Sequence, residues 1–494
     1  MNPLRPLREP RGVAIALATA LLVPMLATAT SRVDDPDVWS LATIGRDWIS
    51  HGEFIRENFY SFTDPHRPWI THEWVPCVIS WMGLTQFGPA FFAVDALLVL
   101  AATYAAAFRA TLARKNLVAG AVLSLATLAF AKRLLSARPL AISLLLAVVL
   151  AQLAFGKRFG PRRAATCVGL VWLWANMHGS FPLGVAILVG GACQAWWAGD
   201  RKTLRLRALA IVGAAAATFA NPYGATLHTF VFHHLFGDSG GAISASHTLV
   251  SEFAPVWRDR TILGPPEWIG AALILALALA GLTRREHVVR GLFAVALAAL
   301  AALHVRHVEQ FGFLSAVILA PVVDSLWPPA RDATSVPAER ARPVRWIVLP
   351  PLVLALIAFA IVASRRTREE WLGEWLGGPS FAMLTRALPD GARVHAPYAS
   401  DGLVLWLAAP RGVRVFFDPR ADGYAPDVAL AGVEIAQGVG DVAAALSRYH
   451  TTHVITRVTG ALRARLDARW RTTAASGEWV LLELTPAALP GPRE

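Results

Sequence analysis

Long apolar runs separated by short basic clusters dominate this 494-residue chain. The runs approach or reach the ~20 residues that a helix needs to cross a hydrocarbon core. They are continuous and do not alternate, which excludes a transmembrane β-barrel. The first run follows Arg5, Arg8 and Arg11 and extends from Val13 to about Ala29. Its Ala-Thr-Ala-Thr exit would suit a cleaved signal peptide. An acidic motif follows at once, however, and many more runs come after, so an uncleaved first span is expected. The next run, Trp74 to Phe108, is too long for one span, and Gly88-Pro89 divides it into an interfacial or re-entrant piece and a true span. Further runs at about 117–131, 139–155, 164–178, 180–198, 205–220, 267–283, 288–304, 308–326 and 344–363 bring the expectation to about eleven spans. The fold class is therefore mainly α, a polytopic helical membrane protein.

Alternating sides from a cytoplasmic N-terminus gives a consistent map. Arg109, Arg114 and Lys115 fall inside, as do Lys157-Arg158 with Arg162-Arg163 and Arg201-Lys202 with Arg205 and Arg207. Arg284-Arg285 with Arg290, and then Arg331, Arg340, Arg342 and Arg345, follow suit. Every cluster obeys the positive-inside rule. The map implies a plasma membrane, and for a bacterium the inner one. Residues 1–363 form the membrane domain, with outside loops at 32–74 and 237–266. From 364 to 494 the pattern changes to short β-type runs (Val413–Phe417, His453–Thr456, Glu478–Leu484) with helical patterns between, such as Val442–Tyr449 and Gly460–Trp470. A small extracytoplasmic α/β domain is expected there.

Composition then narrows the function. The chain is 55% hydrophobic and only 16% charged, far from a soluble average. A net charge of +12 would suit nucleic acid, but the cations sit in topological clusters and no nucleic-acid motif is present, so no nucleic-acid partner is expected. Cys77, Cys167 and Cys193 lie in apolar segments without metal-ligand spacing and imply no disulfide framework.

The candidate chemistry collects on the outer face. Asp34, Asp35 and Asp37 follow the first span, and His72-Glu73-Trp74 opens the next apolar stretch. Carboxylates at a membrane surface suit transfer of a sugar from a lipid phosphate, which needs a base at the acceptor hydroxyl and positive charge at the phosphate. Asp34, Asp35 and Glu73 are candidate catalytic groups, and Asp35 and Asp37 candidate ligands for a divalent cation such as Mg or Mn. Asp37 also fits a helix cap, and His72-Glu73 a helix start beside an interfacial tryptophan. His72, Arg133, Arg138, Asn176, His178, Arg306 and His307 are candidate substrate contacts. Outside arginines run against the topology rule, and an anionic ligand is one reason for them; snorkelling to headgroups is the other.

Through these residues the chain resembles the C-type (GT-C) membrane glycosyltransferases, in its first-loop acidic motif, its many spans and its extracytoplasmic C-terminal domain. It also resembles a group of bacterial multi-pass membrane proteins through Asp35-Pro36-Asp37-Val38-Trp39, His72-Glu73-Trp74, Arg138-Pro139, the Trp174–Phe181 stretch, Asn221-Pro222-Tyr223-Gly224 and Phe416-Phe417-Asp418-Pro419-Arg420. The resemblance implies a polyprenyl-phosphate sugar donor, a glycan, lipid or protein acceptor, and a catalytic role for Asp34 or Asp35. The rival readings are a transporter or flippase for a lipid-linked or anionic solute, and a non-catalytic assembly protein.

Overall fold

The computed structural model describes residues 10–114, 116–236, 251–258, 263–327 and 344–485. Lys115, Arg331, Arg340, Arg342 and most of the expected 237–266 loop lie outside the described residues. In chain order the first helices are α1 (Pro10–Thr30), α2 (Asp37–His51), α3 (Trp74–Phe87), α4 (Ala90–Leu112), α5 (Leu117–Leu128), α6 (Pro139–Ala154), α7 (Pro161–Met177), α8 (Pro182–Trp197) and α9 (Arg201–Ala217). They are followed by α10 (Ala225–Phe236), α11 (Pro265–Leu282), α12 (Val288–Leu303), α13 (Val308–Leu326) and α14 (Arg345–Ala363). The C-terminal segment adds α15 (Gly378–Arg386), β1 (Arg393–His395), α16 (Asp401–Ala408), β2 (Arg414–Val415), α17 (Pro426–Gln437), α18 (Val442–Arg448), β3 (His453–Arg457), α19 (Ala461–Arg465), β4 (Trp470–Ser476) and β5 (Trp479–Leu484).

A helix stands over each stretch that the sequence marked as a span, and Gly88, at φ +69°, makes the expected break between α3 and α4. Among the described residues, five helical stretches are long and apolar enough for a full crossing: Gly12–Thr30, Ala90–Leu112, Pro265–Leu282, Val305–Leu326 and Arg345–Ala363. Four more apolar helices are shorter, Pro139–Ala154 and Val288–Leu303 among them. At 1.5 Å per residue such a helix rises about 24 Å, short of a ~30 Å core, a mismatch that thinning and flanking cations accommodate.

The chain divides into two compact units. Unit 1 is Met1–Ser31, Ala93–Ala225 and Val250–Ser364; unit 2 is Arg32–Phe92, Thr226–Leu249 and Arg365–Glu494. In unit 1, α13 is the buried centre, packed by α5, α6, α11 and α12. Helix α1 lies along α14, and α9 covers α7 and α8.

In unit 2, the acid-rich loop and its two helices join the C-terminal segment. Helix α2 buries Val38, Trp39, Leu41, Ala42 and Ile44 and stops at Gly52, whose φ of +73° few side chains tolerate. It packs antiparallel on α3, so closely that a Cβ on Gly45 would lie 2.1 Å from the Cys77 carbonyl oxygen. The mixed five-stranded sheet has the order β2-β1-β3-β5-β4, parallel at β1/β2 and β1/β3 and antiparallel at β3/β5 and β5/β4. Two expectations need correction. The helical pattern read over Gly460–Trp470 yields only Ala461–Arg465, and the unforeseen β4 begins at Trp470. Strand β4 is an edge strand reading Trp-Arg-Thr-Thr-Ala-Ala-Ser, so it carries no apolar run for the sequence to display.

Candidate functional site

The two acidic residues after the first span are held in different ways. Asp34 is exposed, and its Oδ1 accepts the Trp375 N–H at 3.1 Å. It lies so close to Gly373 that a Cβ there would meet the carboxylate at 1.6 Å. Asp34 thus anchors the loop to the C-terminal segment. Asp35 is buried, 7% exposed, and its Oδ1 accepts the Asp37 N–H at 3.0 Å. The cap at the start of α2 therefore comes from Asp35, whereas the sequence suggested Asp37.

His72 and Glu73 lie elsewhere in unit 2. Trp74 meets Trp48, near the end of α2, with ring centroids 5.2 Å apart. Asp35 precedes the start of the same helix. The thirteen residues between Asp35 and Trp48 correspond to about 20 Å of rise, so Glu73 does not share a reaction centre with Asp35. Glu73 begins α3 without a side-chain cap, 3.6 Å from His72 Nε2. The His72 ring stacks on Phe230 at 5.1 Å.

Beside them lies a cluster absent from the sequence expectations. Arg420 binds Asp418 through both carboxylate oxygens, Nε to Oδ1 at 2.9 Å and Nη2 to Oδ2 at 2.5 Å. Its Nη2 also donates to Asn58 Oδ1 at 2.9 Å, and its guanidinium covers the Tyr60 and Trp69 rings at 4.7 and 4.9 Å. Tyr424 donates its hydroxyl to Asp418 Oδ2 at 2.6 Å. Burial would depress Arg420, but the Asp418 carboxylate outweighs it and holds the guanidinium above its ordinary pKa. Asn58 Nδ2 in turn donates to the Gly423 carbonyl at 2.9 Å, and Val415 N–H to the Tyr60 carbonyl at 3.0 Å. This network locks the first loop to the segment after β2. Its signal in the sequence was Asp418-Pro419-Arg420 directly behind an apolar β run.

The remaining candidates belong to unit 1. Arg138 pairs with Glu252 at 2.7 Å. The next residue, Phe253, lies under the Arg306 guanidinium at 4.4 Å, and its carbonyl accepts from His304 Nδ1 at 2.8 Å. Arg138, Arg306 and His307 are thus gathered around one short segment, 251–254. Asn176 is tied instead to the Trp172 and Ala220 carbonyls at 2.9 and 3.2 Å. His178 Nδ1 accepts the Ser180 N–H at 3.0 Å, so the neutral ring carries its proton on Nε2. Ser180 Oγ is 2.7 Å from the same nitrogen and accepts from Trp174 Nε1 at 3.2 Å. Arg133 lies in the turn Lys132–Leu135, and its side chain is outside the described residues. By helix order, Arg138 at the start of α6, His178 after α7 and Arg306 before α13 occupy the same end of the unit 1 helices.

Among the described residues, no group of three His, Cys, Asp or Glu side chains could hold a metal ion. Asp35 and Asp37 offer two carboxylates at most. That set does not suit an all-protein zinc cage. A cation held there would need water and substrate phosphate to complete its shell.

No protein-family model and no curated protein matches the chain. Solved structures do. The Archaeoglobus fulgidus oligosaccharyltransferase AglB, in complex with an inhibitory peptide and a dolichol-phosphate, is 12% identical with a TM-score of 0.57, over 90% of this chain and 69% of its own. The same enzyme in complex with Zn and sulfate gives 12% and 0.55, over 89% and 68%. ArnT from Cupriavidus metallidurans, bound to undecaprenyl phosphate, is 15% identical with a TM-score of 0.50, over 98% of this chain and 100% of its own. At such identities the likeness is one of fold alone, the fold that these membrane transferases share with the chain.

Proposed function

We propose that the chain transfers a sugar from a polyprenyl-phosphate carrier, with inversion, to an envelope acceptor on the extracytoplasmic face of a bacterial inner membrane. The observation that carries this reading is the likeness of nearly the whole chain to two transferases whose structures hold a polyprenyl phosphate. The grouping of Arg138, Arg306 and His307 at one end of the unit 1 helices supports it.

Asp35 is the base in this reading, since Asp34 is taken up in tethering the loop. It removes the acceptor hydroxyl proton as that oxygen bonds to the anomeric carbon. The bond from that carbon to the phosphate oxygen breaks, and the polyprenyl phosphate leaves with the electron pair. The leaving charge calls for cationic partners, and Arg138, Arg306 and His307 are the candidate phosphate contacts. Alternatively, Asp35 with Asp37 would hold a divalent cation that neutralises the phosphate. Asp35→Asn should lower transfer at least about 100-fold while leaving membrane insertion intact. The measurement is transfer from a synthetic polyprenyl-phosphate sugar by purified protein. Unchanged turnover would remove Asp35 from the mechanism.

A further inference from the structure

The opposite end of the unit 1 helices holds a second basic centre, independent of the proposed transfer. Arg207 on α9 donates Nη2 to the Gly156 carbonyl at 2.9 Å, and a further bond to Gly191. Arg290 on α12 donates Nη2 to the Phe155 carbonyl and Nη1 to the Ile318 carbonyl, both at 2.8 Å. Two buried guanidiniums therefore grip consecutive carbonyls at the end of α6. Arg290 also feels the charges of Arg114 and Arg207.

Carbonyls satisfy the N–H groups without cancelling the charge. Among the described residues neither Arg207 nor Arg290 has a carboxylate within ion-pair distance; Asp200 acts on Arg207 from further away, and Asp324 lies 3.5 Å from Arg114. The buried Nε atoms of Arg207 and Arg114 have no hydrogen-bond partner among the described residues. Above them runs the loop 155–163, with Lys157, Arg158 and Arg162 exposed and Arg163 half-buried. A topological signal needs only the exposed cations; it does not explain the buried ones.

We propose that this centre binds the phosphate headgroup of an acidic membrane phospholipid. The level is right for a lipid: Trp196 and Trp197 at the adjoining end of α8 are exposed, and the Trp197 indole donates to the Arg285 carbonyl at 2.7 Å. Such tryptophans mark headgroup depth. Basic recesses between helices at that depth recognise lipid phosphates. Helix α6 separates this end from Arg138 by about 24 Å, so the headgroup does not compete with a sugar donor.

The test uses the full chain reconstituted in nanodiscs of phosphatidylcholine alone, or of phosphatidylcholine and phosphatidylglycerol in equal parts, with bound lipid counted by native mass spectrometry. Retention of phosphatidylglycerol over phosphatidylcholine is expected. Arg207→Gln and Arg290→Gln risk the helix contacts, so the variants are Lys157→Gln/Arg163→Gln and a charge-matched control, Arg201→Gln/Lys202→Gln. The first should weaken phosphatidylglycerol binding about 25-fold, at about fivefold per cation, and the control should leave it unchanged. Equal losses in the two variants, or no preference in the parent, would overturn the site. Displacement of the lipid by millimolar inorganic phosphate would also overturn it, by making the ligand a free anion.

Discussion

Arg290 in unit 1 and Arg420 in unit 2 are buried to a similar degree, 9% and 7% exposed, yet their surroundings differ in kind. Arg290 is held by two main-chain carbonyls. Arg420 is held by a bidentate carboxylate, a side-chain amide and two aromatic faces. Both guanidiniums are hydrogen-bonded, but only the second is neutralised. The contrast separates two requirements that are often merged. Hydrogen bonding answers the cost of a buried polar group; a counter-charge answers the cost of a buried ion. Unit 2 supplies the counter-charge internally and so works as a closed clamp on the first loop. Unit 1 holds Arg290 by carbonyls alone and leaves its positive charge open to an anion from outside.

The largest effect is expected where neutralisation is broken. Arg420→Met leaves the Asp418 carboxylate, 0% exposed, with the Tyr424 hydroxyl and the residue 420 backbone N–H but no counter-charge. Removing one partner of a buried pair costs about 3–5 kcal/mol, and thermal unfolding of the detergent-solubilised chain should register it. The double variant Asp418→Leu/Arg420→Met should recover most of the loss, because no bare charge remains. Equal losses in single and double variants would mean that packing on Tyr60 and Trp69, not charge, holds the clamp.

Arg290→Gln tests the other arrangement. It orphans the Ile318 and Phe155 carbonyls, at about 1–3 kcal/mol, but it also lifts repulsion from Arg114 and Arg207. The net loss should be smaller than for Arg420→Met under the same conditions. A loss as large would show that the cation near Arg290 is already neutralised.

The helices were legible because lipid and buried centre both demand apolar runs, and such runs appear in any window of sequence. The cap at α2 was legible in kind, though the accepting carboxylate proved to be that of Asp35. The clamp was not legible. Asn58 and Trp69 stand hundreds of residues before Arg420, and Asp418-Pro419-Arg420 behind an apolar run does not itself say which distant partners bury the arginine. The distance between Asp35 and Glu73 was equally hidden. Both sit in one acid-rich loop, and only the helix between them shows that they lie at opposite ends of α2.

The closed character of unit 2 also has a condition, and it shows only as a dependence on pH. Asp401, at the start of α16, is 1% exposed, and its Oδ1 has no hydrogen-bond partner among the described residues. Burial first, and then the negative charge of Asp418, push its carboxyl well above the usual range. Asp418 already serves Arg420, so the cluster stays neutral only while Asp401 keeps its proton. Its folded pKa exceeds the unfolded value of about 3.9, so the folded state binds the extra proton and stability falls as pH rises above that value. His395 acts with the opposite sign: burial lowers it to about 4, and stability falls as pH drops from about 6.5 toward that value. Asp401→Asn should remove the first dependence and keep the second. Its melting temperature should match the parent near pH 4 and exceed it by a margin that widens toward about pH 8. A margin constant across that range would mean that Asp401 is ionised in the folded chain and that the clamp carries a net negative charge after all.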